Sequence, residues 1–233
     1  MEGRAKAFAR YALAAVLLVS AGCDLLGFKQ WNWHQRLAIE IETPNGLRSG
    51  GSVVAVLVGT SPKWAPGEGA GGMGGKITGE ASFVEVVPGR YLFALLSEDL
   101  ERLAFDLFFE RKGKDPEKTA AELEHLRGVR DVPRDHYPML VTFGDISDPT
   151  TVTRVDPDDL AASFGSGVSL KRITLEITDE PVTTGRVDRV LGWLRWPRDR
   201  FLAHGGGENP LRVATDSPVG YDIIGTTAFV KRR

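Results

Sequence analysis

WNWHQRLAIEIETPNGLRSGGSVVAVLV, residues 31–58, is the stretch whose reading decides the fold. From Trp31 to Thr43 apolar and polar residues alternate. Trp31, Trp33, Leu37, Ile39 and Ile41 fall on one face, and Asn32, His34, Arg36, Glu40 and Glu42 on the other. Successive side chains of a strand point to opposite faces, so this pattern predicts a strand with one face buried and one in water. Pro44-Asn45-Gly46 then supplies a turn, since Asn-Gly tolerates the positive φ angles of a tight hairpin. The partner, Ser52 to Val58, is apolar on both faces and is expected in the middle of a sheet.

Downstream, a glycine-rich loop at Gly67 to Gly75 leads to a third strand at Ala81 to Val87. The Pro88-Gly89 turn leads to a fourth at Tyr91 to Leu96, and the whole reads as an antiparallel meander. The period then changes. Ser97 is placed to cap a helix carrying Leu100, Leu103, Leu107 and Phe108 on one face and closing at Lys112-Gly113. Asp115-Pro116 opens a second helix, ended by Gly128, because proline suits the first helical position. After a loop at 129–137 come a strand at Met139 to Phe143, a short helix from Asp156-Pro157 to near Gly165, and a strand at Val168 to Thr178. Val187, Val190, Leu191 and Leu194 predict a last helix stopped by Pro197, followed by a loop-rich tail from about 198 with a strand within Tyr221 to Val230. Strands followed by mixed helices and strands, with no linker between, predict a single α+β domain over residues 31–233.

The N-terminus predicts something other than fold. Arg4, Lys6 and Arg10 flank YALAAVLLV, residues 11–19, an uncharged run about half as long as the roughly 20 residues a bilayer span needs. Ser20-Ala21-Gly22-Cys23 follows and resembles the lipobox of bacterial lipoproteins, with Ser20 where leucine is commonest. The reading is a signal peptide at 1–22, Cys23 as the lipid-bearing first mature residue, and a tether to residue 30. The chain has a single cysteine, which cannot form an internal disulfide and would leave a stray thiol in an oxidising compartment. Thioether lipidation removes it. Membrane lipid is thus one expected partner, and the location is the cell envelope, facing the periplasm. Asp24 resembles an inner-membrane retention signal. Trp31, eight positions past Cys23, fits either the core or the headgroup level, whereas Trp33 is expected in the core.

Removing the three bases and one acid of residues 1–22 leaves 26 Lys and Arg against 30 Asp and Glu, a net charge near −4. That balance argues against nucleic acid, whose binders carry a basic footprint. The motif search is as restrictive. Gly67-x-Gly69-x-x-Gly72 fits a dinucleotide fingerprint in form, but a strand follows it where a helix N-terminus is needed. Gly75-Lys76 is followed by Ile77 where a phosphate loop needs Ser or Thr. His204-Gly205-Gly206-Gly207 has the form of an esterase oxyanion loop, without the G-x-S-x-G elbow such enzymes need. His34, His125, His136 and His204 show no zinc spacing. Asp145, Asp148, Asp156, Asp158 and Asp159 lack the calcium-loop pattern and read better as caps. No cofactor or metal is therefore expected. Asp135-His136 is the one place where a base candidate adjoins a carboxylate, and these two are the catalytic candidates.

The blocks WNWHQRLAIEIETPNG (31–46), GRYLFALL (89–96), YPMLVTFGDISDP (137–149) and RVDPDDLAASFGSGVSLKRITLEITDEPVTTGRVDRVLGWL (154–194) resemble a family of proteobacterial exported proteins and lipoproteins with no known activity. The resemblance spans most of the mature chain and implies a bacterial origin. It carries over no site residue. The leading expectation is a lipid-anchored envelope protein with a non-enzymatic role in binding or structure, through envelope protein or glycan contacts. One alternative is a periplasmic hydrolase built on His136 with Asp135 or a carboxylate from 145–159. The other is a small-ligand binding protein using residues 67–75 as a lid.

Overall fold

Strands β1 (Lys29–Thr43) and β2 (Gly46–Thr60) pair antiparallel along their whole length, from Lys29 opposite Thr60 to Thr43 opposite Gly46. The computed structural model describes residues 27–66, 70–97, 100–109, 115–197, 211–214, 221–224 and 226–232. The signal segment, Cys23 and Asp24 lie outside them. The hairpin turn differs from the Asn-Gly expectation: no described non-glycine residue has positive φ, so Asn45 does not, and within this turn the positive φ falls on Gly46, at +101°. Pro44 fixes a negative φ at the first corner, which moves the left-handed residue to the position after Asn45. The Thr43 hydroxyl closes the turn, accepting from Asn45 N at 3.2 Å and donating to Gly46 O at 2.8 Å.

The chain continues through β3 (Met73–Glu80), β4 (Ser82–Val87) and β5 (Arg90–Ala94), then α1 (Leu100–Phe108) and α2 (Pro116–His125). There follow β6 (Gly128–Asp131), β7 (Leu140–Phe143), β8 (Val152–Arg154), α3 (Leu160–Phe164), β9 (Ser169–Thr178) and α4 (Val187–Val190), and finally β10 (Leu211–Ala214), β11 (Tyr221–Ile224) and β12 (Val230–Lys231). One sheet has the order β12-β3-β2-β1-β9-β6 and a second β4-β5-β7-β8, with β10 and β11 as a separate hairpin. Every pairing is antiparallel. The domain is α+β, its meander leading into mixed helices and strands, and β2 is central as its two-sided apolar pattern requires.

The predicted face of β1 is the buried one: Trp31, Trp33, Leu37, Ile39 and Ile41 all enter the interior, which assigns Trp31 to the core as well as Trp33. Trp33, Leu37, Ile39 and Ile41 share a core with Val54, Val56 and Val58 of β2, Ile173, Leu175 and Ile177 of β9, and the inner face of the second sheet through Val84, Leu92 and Leu140. The second sheet is covered on its other face too. There Phe93, Val141, Phe143, Val187, Leu191, Trp193 and Phe229 form a separate core. A single residue, Ala81, joins the sheets where β3 passes into β4. The Ser82 hydroxyl pins that crossing, accepting from Ser52 N at 3.0 Å and donating to Leu37 O at 2.6 Å.

Several boundaries differ from expectation. Gly74 and Gly75, expected in the glycine-rich loop, belong to β3, and a Cβ on Gly75 would stand 2.6 Å from the Glu101 carboxylate of α1. The 129–137 loop contains β6, opened by the Gly128 expected to close the helix, and a 3-10 turn at Arg134–His136. β8 carries no apolar alternation and was not expected. The last predicted helix is one turn, α4, then a 3-10 turn at Gly192–Arg195, because Gly192 interrupts it. The tail is more than loop: Phe229 is fully buried.

Candidate functional site

Gln35 is the one polar residue on the buried face of β1, and its amide decides where α1 sits. Its side chain accepts from Trp33 Nε1 at 3.0 Å and donates to Leu100 O at 2.8 Å. Both amide atoms are thus satisfied without water, as burial demands. This fixes the start of α1 over β1, and α1 then forms a ridge between two clefts. Arg102 lines both.

The first cleft has a volume of about 390 Å³ and lies between β3, α1 and α2. Glu101, Phe105 and Phe109 follow one another at helical i, i+4 spacing along one wall, while Val58, Met73, Gly74 and Gly75 form the other. Pro116 and Thr119 close the α2 side. Phe105 is held edge-on by Trp33, ring centroids 5.6 Å apart. Gly74 would bring a Cβ within 4 Å of nothing, so the wall there is bare backbone beside open space. Such a volume, mostly apolar with a few polar groups at its edge, is the ordinary form of a small-molecule site. The cleft lies toward the end of the domain where β1 begins: Lys29 opposes Thr60, Thr60 opposes Met73, and Lys29 Nζ lies 2.7 Å from Glu117 Oε2 on α2.

The second cleft, about 340 Å³, is lined by Ser97, Arg102, Asp106, Asp135, His136 and Tyr137 among others. It therefore gathers both catalytic candidates, and His136 Nδ1 lies 3.1 Å from Asp135 Oδ1. That hydrogen bond holds the Asp135 carboxyl below its ordinary pKa. Both side chains are open to water, His136 at 40% and Asp135 at 77% exposed. Beside them Arg134 stacks on Tyr137, 5.4 Å from the ring centroid, and bonds Asp158 Oδ2 at 2.8 Å.

The other candidates are structural where they are described. Asp145 bonds Ser147 N at 2.8 Å, Asp148 bonds Thr150 N at 2.9 Å, Asp159 caps α3 through Ala162 N at 3.1 Å, and Asp156 bonds Asp158 N at 2.9 Å. Each carboxylate closes its own turn, and among the described residues no three His, Cys, Asp or Glu side chains gather as metal ligands. His34 meets Glu180 O at 2.7 Å on the solvated sheet face, and His125 is exposed on α2. Cys23, Gly67, Gly69 and His204 lie outside the described residues. The sequence reading missed Ser97 as a cleft residue, having used it only as a cap, and missed Met73, Phe105 and Phe109 entirely. The one signal for them was the i, i+4 spacing of the two phenylalanines.

Comparison with family models, with curated proteins and with solved structures gives no match for this chain. The functional reading therefore rests on the site itself.

Proposed function

We propose that the protein is a lipid-anchored envelope protein, tethered through Cys23 and facing the periplasm, whose α+β domain binds a small amphiphile rather than turning over a substrate. The observation that carries the binding role is the cleft of about 390 Å³ walled by Val58, Met73, Phe105 and Phe109, with Glu101 and Arg102 at its polar edge. The apolar part of the ligand lies between Met73 and Phe105, and its polar end meets Arg102. This refines the expected small-ligand role: β3, rather than a lid at 67–75, forms the wall. The anchor is supported by the lipobox-like Ser20-Ala21-Gly22-Cys23 after a short apolar run and by the cysteine's being single.

Lauric acid below its micelle concentration is a direct probe. At a hundred times its dissociation constant it stabilises by about 2.7 kcal/mol, which raises the melting temperature by about 5–10 °C for a chain of this size. Met73→Glu puts a carboxylate on the apolar wall of the cleft, at a position only partly buried. It is expected to melt near the wild-type temperature and to lose the lauric acid response. A response that survives Met73→Glu, or none in the wild type, sinks the reading.

The second reading is a hydrolase on His136, favoured by the shared cleft of Ser97, Asp135 and His136. Ester turnover abolished by His136→Ala with the melting temperature unchanged would establish it over the first.

A further inference from the structure

Five large apolar side chains are exposed among the described residues, and three of them, Phe28, Leu57 and Trp64, lie at the end of the domain where β1 begins. Phe28 and Trp64 touch edge-to-face, ring centroids 5.7 Å apart, and Trp64 is 64% exposed. Their positions are built. Ala65 N bonds Pro62 O at 3.0 Å in a turn that presents Trp64, and Ser61 is tied to the start of the next strand, its N bonding Gly72 O at 3.0 Å and its O accepting from Gly71 N at 2.9 Å. A Cβ on Gly27 would sit 3.4 Å from Pro62, so the entering chain lies against the same turn. Lys63 is exposed beside Trp64, and Lys76 lies opposite Leu57 across β3 and β2.

We infer that the Phe28–Trp64 pair, flanked by Lys63 and Lys76, is a footprint on the bilayer interface that holds the domain with its apolar cleft toward the membrane. This rests on the Cys23 anchor proposed above. Phe28 lies five positions after Cys23, a reach of at most about 18 Å even when fully extended. The headgroup layer on each side of a bilayer is roughly 5–8 Å thick, so an anchored chain keeps both rings within range of it. Indole and phenyl rings are favoured at that depth, and lysine ammonium groups complement anionic headgroup phosphates. An anchored domain with these rings therefore has a preferred orientation. The cleft lies toward the same end, since Met73 pairs with Thr60 at the close of β2, so an amphiphile leaving the bilayer has a short path to Met73 and Phe105.

The test uses the full acylated protein in vesicles of phosphatidylethanolamine and phosphatidylglycerol, some with brominated acyl chains as indole quenchers. The expected result is that bromine quenches the part of the tryptophan emission absent from a Trp64→Phe variant. Phe28→Ser and Trp64→Ser are each expected to speed transfer of the protein between vesicles about tenfold, the loss of one partly buried ring. Both positions are exposed, so circular dichroism should not change. Protein that stays on the vesicles with Trp64 emission unquenched overturns the footprint and leaves the anchor standing. Release from vesicles, with no acyl mass on the Cys23 peptide, overturns both. Trp64 shielded in a dimer detected by sedimentation makes a second copy the occupant and overturns the membrane assignment.

Discussion

The two sheets bury their residues in different ways, and the sequence reports only one of them. In the six-stranded sheet one face of β1 is core and the other carries Asn32, His34, Arg36, Glu40 and Glu42 in or near water. In the four-stranded sheet both faces are covered: Leu92 and Leu140 point into the first core, Phe93 and Phe143 into the second. One-sided burial imposes a period of two that any reader of the chain can see. Two-sided burial erases it, and what covers the second face here arrives from far along the chain. Trp193 and Phe229 lie 5.7 Å apart by ring centroids, and each also meets Phe143. The outer face of the first sheet should therefore tolerate substitution, while the outer face of the second should not.

The largest expected effect follows from Trp193. It is 1% exposed, and its indole N–H donates to Ile146 O at 3.2 Å. Trp193→Ala leaves a ring-sized void and an unmatched carbonyl, a loss of about 3–5 kcal/mol in urea unfolding. Arg36→Ala, on the solvated face of β1, should change stability by no more than about 0.5 kcal/mol. Equal costs at the two positions would erase the distinction between the sheets.

A second, smaller effect tests the joint between them. Glu80 ends β3, is 2% exposed, and its carboxylate accepts from three successive amides, Gly185 N, Arg186 N at 3.0 Å and Val187 N at 3.2 Å. It thereby caps α4 and fastens the segment leading to Trp193. Glu80→Ala strands one buried and two part-buried donors and should cost about 2–3 kcal/mol, while Glu80→Gln keeps an acceptor and should cost clearly less. If the Gln variant unfolds as readily as the Ala variant, the three-amide cradle is not what holds this joint.

The same contrast explains how much of the molecule was legible. The β1–β2 hairpin, the Asp115 cap, the α3 cap region and β9 followed from alternation and capping rules, which are local. Gly74 and Gly75 were read as loop because glycine carries no side-chain pattern, whereas in the fold they are strand residues, and Gly75 faces the carboxylate of Glu101 on α1, a partner distant in sequence. The clefts were legible in part. Asp135 and His136 are neighbours in the chain, so their contact needed no fold. Ser97, Arg102 and Asp106 join them only because Gln35 places α1. The apolar cleft had no local signal, since its walls come from β2, β3, α1 and α2.

The smallest effect lies on the solvated face of the first sheet, and its sign can be worked out. Glu40 accepts from Arg172 Nη2 at 2.8 Å, with Lys171 Nζ at 3.5 Å. The Arg172 hydrogen bond is the main cause holding the Glu40 carboxyl below its ordinary pKa, against the opposing pull of partial burial. A carboxyl with a lowered folded pKa contributes stability that is present above the unfolded value, about 4.3, and is lost as pH falls through the folded one. The pair spans β1 and β9 on an exposed face, so its contribution is at most about 1 kcal/mol and weakens with salt. Glu40→Gln should thus be slightly less stable than the wild type near neutral pH, with the gap closing as pH drops below about 5. A gap that persists unchanged at acid pH would assign the role of Glu40 to packing, and would mean that this face is not governed by solvated charge as the comparison requires.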